Sequence, residues 1–286
     1  MRLRSLLFVP GDSQRKFAKA QASGADALIL DLEDSVAPGQ KAAARAHVAS
    51  LLENKEPRDW SFFVRTNALD TGLTLDDLAA VVKPGLDGVL VPKANGADDI
   101  VRFGHYLDAF ETRAGMSVGS VRIAVVATET ARAMFALHTY APAHPRLAAL
   151  TWGGEDLAAA LGATENREAG GWTFPYQVAR AQCLFAAGAA EVAPIDTIHA
   201  DFRDAEGLES DCRRSRRDGF LGRMAIHPDQ VAIINRCYTP SEEEIAHARR
   251  IVEAFAANPG AGTLGIDGKM VDIPHLKAAQ KTLASI

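Results

Sequence analysis

The chain has 286 residues, 48% of them hydrophobic and 23% charged, with a formal net charge of −5. That length suits one barrel-type α/β domain better than an ordinary small domain. The negative charge argues against a general nucleic-acid binder, and no stretch reaches the roughly 18 uninterrupted apolar residues of a membrane span.

The first segment, "MRLRSLLFVPGD", joins basic residues to an apolar run of only about six residues with no small-residue cleavage site, so it reads as a strand and not as a signal peptide. Short apolar runs follow, each ending in polar or glycine-rich sequence. Strands are expected over Ser5–Asp12, Ala27–Ser35, Phe62–Asn67, Gly88–Lys93, Ile123–Thr130, Leu147–Asp156, Ala193–Ile198 and Gly222–Gln230. Between them lie helical patterns such as "SQRKFAKAQASG", "LDDLAAVVK" and "GWTFPYQVARAQCLFAAG". The runs are continuously apolar, as in a parallel sheet buried on both faces. Their polar ends, Asp31, Arg65, Lys93, Glu129, Asp156, Asp196 and His227, recur at steps of 27 to 40 residues, about one βα unit each. Eight such units give a (β/α)₈ barrel over residues 1–238. A doubly wound sheet is the alternative, but the GxGxxG turn that often follows its first strand is not present.

Beyond the barrel, residues 239–286 hold "SEEEIAHARRIVEAFAANPGAG", a capped amphipathic helix ending in Pro-Gly. A small hairpin around Asp267-Gly268 and a last helix follow. Nothing in a barrel requires this tail, so a separate role is expected for it. The three cysteines, Cys183, Cys212 and Cys237, are odd in number and far apart. They point to a reduced, cytoplasmic protein with no disulfide frame and no thiolate metal site.

Barrel chemistry sits at the C-terminal ends of the strands, where the βα loops converge. Asp31, Glu33, Asp34, Glu129, Glu155, Asp156 and Asp196 all fall there, with Arg65, Lys93 and His227 among them. Acids brought together repel unless a cation stands between them. Oxygen ligands in small number suit Mg²⁺ or Mn²⁺, and the chain has no HExxH or paired-cysteine motif for zinc. An arginine beside such an ion suits a 2-keto or 2-hydroxy acid, held by its carboxylate.

The ordered motifs "LLFVPGD", "LDLEDSV", "RTN", "VPK", "ATET", "WGGEDLAAALG", "DTIHAD", "GFLGRMAIHPDQV" and "VDIPHLKAAQ" resemble the citrate lyase β-subunit-like group of the HpcH/HpaI aldolase superfamily, over essentially the whole chain. The resemblance implies a TIM barrel, a homotrimer or hexamer, and Mg²⁺-dependent cleavage or formation of a C–C bond in acyl thioesters of 3-hydroxy acids. It also implies roles for residues. Glu129 and Asp156 would hold the metal, and Arg65 the substrate carboxylate. Glu33 and Asp34 would hold metal waters, while Arg15, Lys16 and Lys19 would meet the phosphates of coenzyme A. Gly153 and Gly154 would let backbone approach the bound keto acid. Asp272 would be the acid/base that the C-terminal lid, residues 239–286, delivers to a neighbouring subunit. The expected reaction is retro-Claisen cleavage of citramalyl-CoA or malyl-CoA to acetyl-CoA and a 2-keto acid. Rival readings are a β-subunit acting on citryl-acyl-carrier-protein, a class II aldolase acting on free hydroxy-keto acids, and a non-catalytic scaffold subunit.

Each residue also has a plainer role. Glu129 would cap a helix, Asp272 is placed as an N-cap, and Arg65 would pair with the Asp31-Glu33-Asp34 cluster. Lys93 is a Schiff-base residue in principle, but acids around it favour ion pairing. Arg15, Lys16 and Lys19 would be a solvated helix face, and His227 a hydrogen-bonded loop residue.

Overall fold

A computed structural model of the chain describes residues 1–54, 56–168 and 171–286. Eight parallel strands close into a barrel: β1 (Ser5–Pro10), β2 (Ala27–Asp31), β3 (Ser61–Arg65), β4 (Gly88–Val91), β5 (Arg122–Val126), β6 (Leu147–Thr151), β9 (Ala193–Asp196) and β10 (Gly222–Ala225). Each strand pairs with its successor, and β10 closes on β1 with Leu6 opposite Met224. The (β/α)₈ expectation is met, strand for strand. Strands β2, β3 and β9 end on the polar residues Asp31, Arg65 and Asp196, whereas Lys93, Glu129, Asp156 and His227 lie beyond the ends of their strands.

The helices are α1 (Gln14–Gln21), α2 (Lys41–Leu51), α3 (Thr74–Val81), α4 (Ala97–Arg113), α5 (Gly154–Leu161), α6 (Phe174–Ala189), α7 (Ala205–Asp218) and α8 (Pro228–Tyr238). After β5 the chain makes two 3₁₀ turns, Ala133–Phe135 and Leu137–Tyr140, where other units have an α-helix. A two-residue hairpin that the sequence pattern does not announce, β7 (Arg167–Glu168) with β8 (Gly171–Trp172), follows α5.

Successive strand residues point to opposite faces, and two cores result. Leu6, Ile29, Phe63, Leu90, Val126 and Met224 fill the barrel interior. Leu28, Phe62, Val89, Leu150 and others pack outward against the helices. Continuous apolar runs are thus two interleaved half-patterns, one for each core.

In the C-terminal segment, α9 (Glu242–Ala257) starts with a capping box between Ser241 and Glu244. The hairpin of β11 (Thr263–Ile266) and β12 (Lys269–Asp272) turns at Asp267-Gly268 and leads to α10 (Ile273–Ala284). Ala248, Ile251, Phe255, Val271 and Ala279 form a cluster of their own between these elements. No described helix is long and apolar enough to cross a membrane.

Below the β4–β6 side of the barrel, the fully buried Glu111 carboxylate accepts from Arg146 at 2.6 and 2.9 Å and from the main-chain N–H groups of Gly119 and Val121. Removing one partner of a buried pair leaves the other charge uncompensated. Arg146→Met should therefore cost about 3–5 kcal/mol of stability, read as a lowered urea midpoint. A midpoint equal to the parent's would show that the pair contributes nothing.

Candidate active site

One cavity of about 620 Å³ opens at the C-terminal ends of the strands. It is lined by strand-end residues from β1, β2, β3, β6 and β10, by Glu129 beyond β5, and by the start of α5. Arg15, Lys16 and Lys19 of α1 line the same cavity from its exposed edge. The structure thus brings together Arg65, Glu129, Gly153, Gly154, Asp156 and the three basic residues.

Arg65 ends β3 directly beside Asp31 in the β2–β3 register. Its Nε and one Nη donate to the two Asp31 oxygens, both at 2.7 Å, and its other Nη lies 2.8 Å from Glu33 Oε2. The guanidinium also stacks over the Phe8 ring, 4.8 Å from its centroid. Arg65 thus pairs with Asp31 and Glu33 of the acidic cluster while also lining the cavity. Of five N–H donors on a guanidinium, two donate to Asp31, and the Glu33 contact is an ion pair without hydrogen-bond geometry. Burial works against the charge, but Asp31, Glu33 and Glu129 outweigh it and keep Arg65 protonated. Asp31 itself is buried, yet Arg65 holds it below the usual carboxylate range.

Glu129 is 4% exposed, and its Oε2 accepts the main-chain N–H of Lys93 at 2.5 Å. Burial first, then the charge of Asp156, pushes its pKa up to about 8; the Lys93 hydrogen bond opposes this and Glu33 adds to it. Asp156 sits in the first turn of α5, where the helix dipole favours an acid. Lys93 Nζ lies 2.5 Å from Glu33, 3.0 Å from Asp34 and 3.4 Å from Asp156. The expected ion pairing of Lys93 is what the structure holds. Glu33 and Asp34 are not among the cavity's lining residues; Glu33 adjoins the cavity through Arg65, and the exposed Asp34 pairs with Lys93.

The glycine pair has a reason inside the protein. A Cβ on Gly153 would lie 2.9 Å from Glu129 Cγ, and one on Gly154 would lie 2.6 Å from the Trp172 ring. Gly153 N–H donates to Thr128 Oγ1 at 3.1 Å. The two glycines let the start of α5 approach Glu129 on one side and the β8 aromatic on the other. Glu155 is exposed and accepts from Asn166 at 2.9 Å.

Of two further expected rim residues, Asp196 is turned away from the cavity and His227 lines it as a hydrogen-bonded residue, as expected. Asp196 follows the inward-facing Ile195 and therefore points outward, where Trp152, Arg180 and Arg223 donate to it, and burial is outweighed by those arginines. His227 caps α8, accepting from Asp229 N–H, and stacks on Phe202 with ring centroids 4.6 Å apart. Asp272 is not among the cavity's lining residues. It caps α10, and its Oδ1 lies 2.5 Å from His275 Nδ1, a hydrogen bond that holds its carboxyl below the usual range.

Several residues that shape the site carry no motif-like signal. Lys41 Nζ donates to the carbonyls of Leu32 and Glu33, both at 2.7 Å, and to Asn67 Oδ1 at 2.8 Å. Asn67 is tied in turn to buried Asp77. This clamp sets the loop that carries Glu33. Thr151 lines the cavity floor with a buried hydroxyl that has no hydrogen-bond partner in the structure. Asn67 lies in "RTN" and Thr151 ends β6, but only tertiary packing gives Asn67 its partners and buries the Thr151 hydroxyl.

Among the described residues, no group of three or more His, Cys, Asp or Glu side chains is placed to hold a metal alone. Two carboxylates, one buried and raised by the other's charge, beside a cavity open to water and ligand, fit a hard divalent ion such as Mg²⁺, which takes few protein ligands. They do not fit zinc.

The profile of a family described as HpcH/HpaI aldolase/citrate lyase matches residues 4–228. A protein named (3S)-malyl-CoA thioesterase from Cereibacter sphaeroides is 35% identical, over 98% of this chain and 93% of the relative. Citrate lyase subunit beta of Escherichia coli is 34% identical over 98% and 92%. L-malyl-CoA/beta-methylmalyl-CoA lyase of Cereibacter sphaeroides is 34% identical over 97% and 92%. The crystal structure of protein CitE from Mycobacterium tuberculosis in complex with magnesium, acetoacetate and coenzyme A superposes with a TM-score of 0.76 at 34% identity, covering 99% of this chain and 97% of that one.

Three outcomes follow from the geometry. The raised Glu129 carboxyl holds a proton, in the metal-free fold, that the unfolded chain releases at ordinary carboxylate pH. Metal-free stability should therefore fall as pH rises from the carboxylate range to about 8. Were Glu129 a Mg²⁺ ligand, the ion would have to displace that proton, so its affinity should rise by about tenfold per pH unit below that value and level off above it, with proton release in calorimetry. A pH-independent affinity would contradict this. Gly153→Ala should displace Glu129 and weaken Mg²⁺ binding by about tenfold or more with the helix content unchanged; unchanged affinity would show that the close approach is not needed.

Proposed function

The chain belongs to the HpcH/HpaI aldolase/citrate lyase family, and from that membership we propose that it is a Mg²⁺-dependent carbon–carbon lyase. Its substrate on this reading is a 3-hydroxy-3-carboxyacyl-CoA thioester, cleaved to acetyl-CoA and a 2-keto acid. Citramalyl-CoA, giving pyruvate, is the preferred substrate; malyl-CoA, giving glyoxylate, is next. The supporting observation is a single cavity lined by Arg65, Glu129 and Asp156 on one side and by Arg15, Lys16 and Lys19 on the other. Such a cavity offers a carboxylate and hydroxyl site at one end and cations for phosphates at the other.

Glu129 and Asp156 would hold Mg²⁺. The chemistry a bound Mg²⁺ supplies is Lewis acidity, which lowers the pKa of a substrate hydroxyl and favours the carbonyl form of the product. Arg65 orients the substrate carboxylate with N–H donors that Asp31 does not use, in a direction that Asp31, Glu33 and Phe8 fix. The start of α5 shields the reacting end from water. As the hydroxyl proton leaves, the electron pair of its O–H bond forms the keto acid carbonyl, and that of the breaking C–C bond passes to the thioester enolate. A proton returned to the enolate carbon gives the acetyl group. Asp272, from the segment 239–286 of a neighbouring subunit, is the proton carrier. As a carboxylate it takes the hydroxyl proton, and as an acid it gives one to carbon. A homotrimer or hexamer would bring it there.

A second reading has a specific observation behind it: the relative named (3S)-malyl-CoA thioesterase. There the thioester C–S bond is hydrolysed after or instead of C–C cleavage. Carrier-protein and free-acid reactions are the other outcomes to separate.

Purified protein with Mg²⁺ and racemic citramalyl-CoA or malyl-CoA, followed by mass spectrometry, distinguishes them. Metal-dependent acetyl-CoA with pyruvate or glyoxylate is the expected result, lost with chelator and with Asp156→Ala. Free coenzyme A with the intact hydroxy acid would establish the thioesterase instead. No turnover of either thioester by Mg²⁺-loaded protein would overturn both. Mixed oligomers of Asp272→Ala and Asp156→Ala chains should recover activity that neither has alone. Failure to recover would place Asp272 outside its neighbour's site.

A further inference from the structure

Lys93 stands in a left-handed backbone conformation, φ 51°, which side-chain-bearing residues avoid. Of the three described non-glycine residues with positive φ, it alone touches the carboxylates of the barrel mouth. Asn95 Nδ2 donates to its carbonyl at 3.4 Å, and Thr130 Oγ1 donates to Asn95 Oδ1 at 2.7 Å, latching the β4 loop to the β5 loop. This conformation lets one residue serve both acids placed for a metal. Its main-chain N–H takes Glu129 at 2.5 Å, and its ammonium lies 3.4 Å from Asp156.

We propose that the Lys93 ammonium is a resident counter-cation for Asp156, competing with Mg²⁺ in the free protein, so that the ion binds weakly alone and tightly together with an anionic ligand. This rests on the assignment of Glu129 and Asp156 as the metal carboxylates.

Charge geometry supports it. A fixed unit charge within ion-pair distance of a metal carboxylate repels a divalent ion arriving there, and the effect is large even at an effective dielectric constant of about 20. Burial alone would lower the lysine pKa, but Glu33, Asp34 and Asp156 outweigh it and keep the ammonium charged. Glu33 at 2.5 Å and Asp34 at 3.0 Å give the ammonium somewhere to remain when Asp156 is surrendered. An anionic keto acid brings ligand oxygens and negative charge, restoring the balance that the displaced ammonium had supplied. Lys93 is on this account a positioning and charge-balancing residue.

The test is titration calorimetry with Mg²⁺, with and without pyruvate as the anionic probe. Wild-type protein should bind Mg²⁺ weakly alone and markedly more tightly with pyruvate. Lys93→Met should bind Mg²⁺ alone at least about tenfold more tightly than wild type, with a smaller gain from pyruvate. Lys93→Arg, which keeps the charge, should stay within about threefold of wild type. Should Lys93→Met not fold, Lys93→Met with Asp34→Asn keeps the net charge of the mouth and should still tighten binding, because the competitor at Asp156 is gone. Unchanged or weaker Mg²⁺ binding in the Met variants would overturn the proposal. Wild-type binding that Asp156→Ala leaves intact would instead overturn the metal-site assignment beneath it.

Discussion

Glu129 is buried within electrostatic reach of Asp156 and Glu33, and the mouth of this barrel is organised around that repulsion. Uncompensated, such a cluster would protonate or come apart. Glu129 responds with a raised pKa, and Arg65 and Lys93 hold the other acids together. Arg65 ties Asp31 and Glu33 into the β2–β3 edge, and Lys93 bridges the loops after β2 and β4 to the first turn of α5. The remaining excess of negative charge lies where the cavity is open. On the proposed function, a divalent ion would be held there without extra protein ligands, and an anionic substrate would complete the arrangement.

The barrel makes this crowding affordable by sorting charges between its two faces. Residues that follow one another in a strand face opposite ways, so Asp31 and Arg65 point inward to the mouth while Asp196 points out to Arg180 and Arg223. The carboxylate turned outward is neutralised within the helix layer and adds nothing to the mouth. Glycine at 153 and 154 completes the sorting. It lets α5 begin close enough to Glu129 for the helix to present Asp156 to the same cavity.

Much of this was legible in the sequence. Apolar runs at a βα spacing gave the eight strands and the closed barrel, because each run must end where the chain leaves the ladder. The acids and the arginine at those ends pointed to the mouth, and the "WGGED" stretch marked a strand-to-helix corner. Residue type and position in a run do not reveal which face a strand-end side chain takes when the run is apolar on both faces, which is why Asp196 is expected at the rim and found turned outward. The Lys41–Asn67–Asp77 clamp was hidden for a different reason. Its members are 26 and 10 residues apart, each unremarkable in its own segment, and they meet only when β2, β3, α2 and α3 pack. The β7–β8 hairpin has two residues per strand, too few for any periodicity to register. The role of Asp272 stays with the resemblance, since within one chain it is a surface N-cap bonded to His275.

The central claim is that Glu129 and Asp156 together form the seat of a divalent ion. Anomalous diffraction from crystals grown with Mn²⁺, a spectroscopically visible substitute for Mg²⁺ with the same preference for oxygen, tests it directly. One peak within bonding distance of both carboxylates, beside Arg65, is the predicted result. A peak bound elsewhere, or Lys93 still paired to Asp156 with no metal between the carboxylates at saturating Mn²⁺, would contradict it.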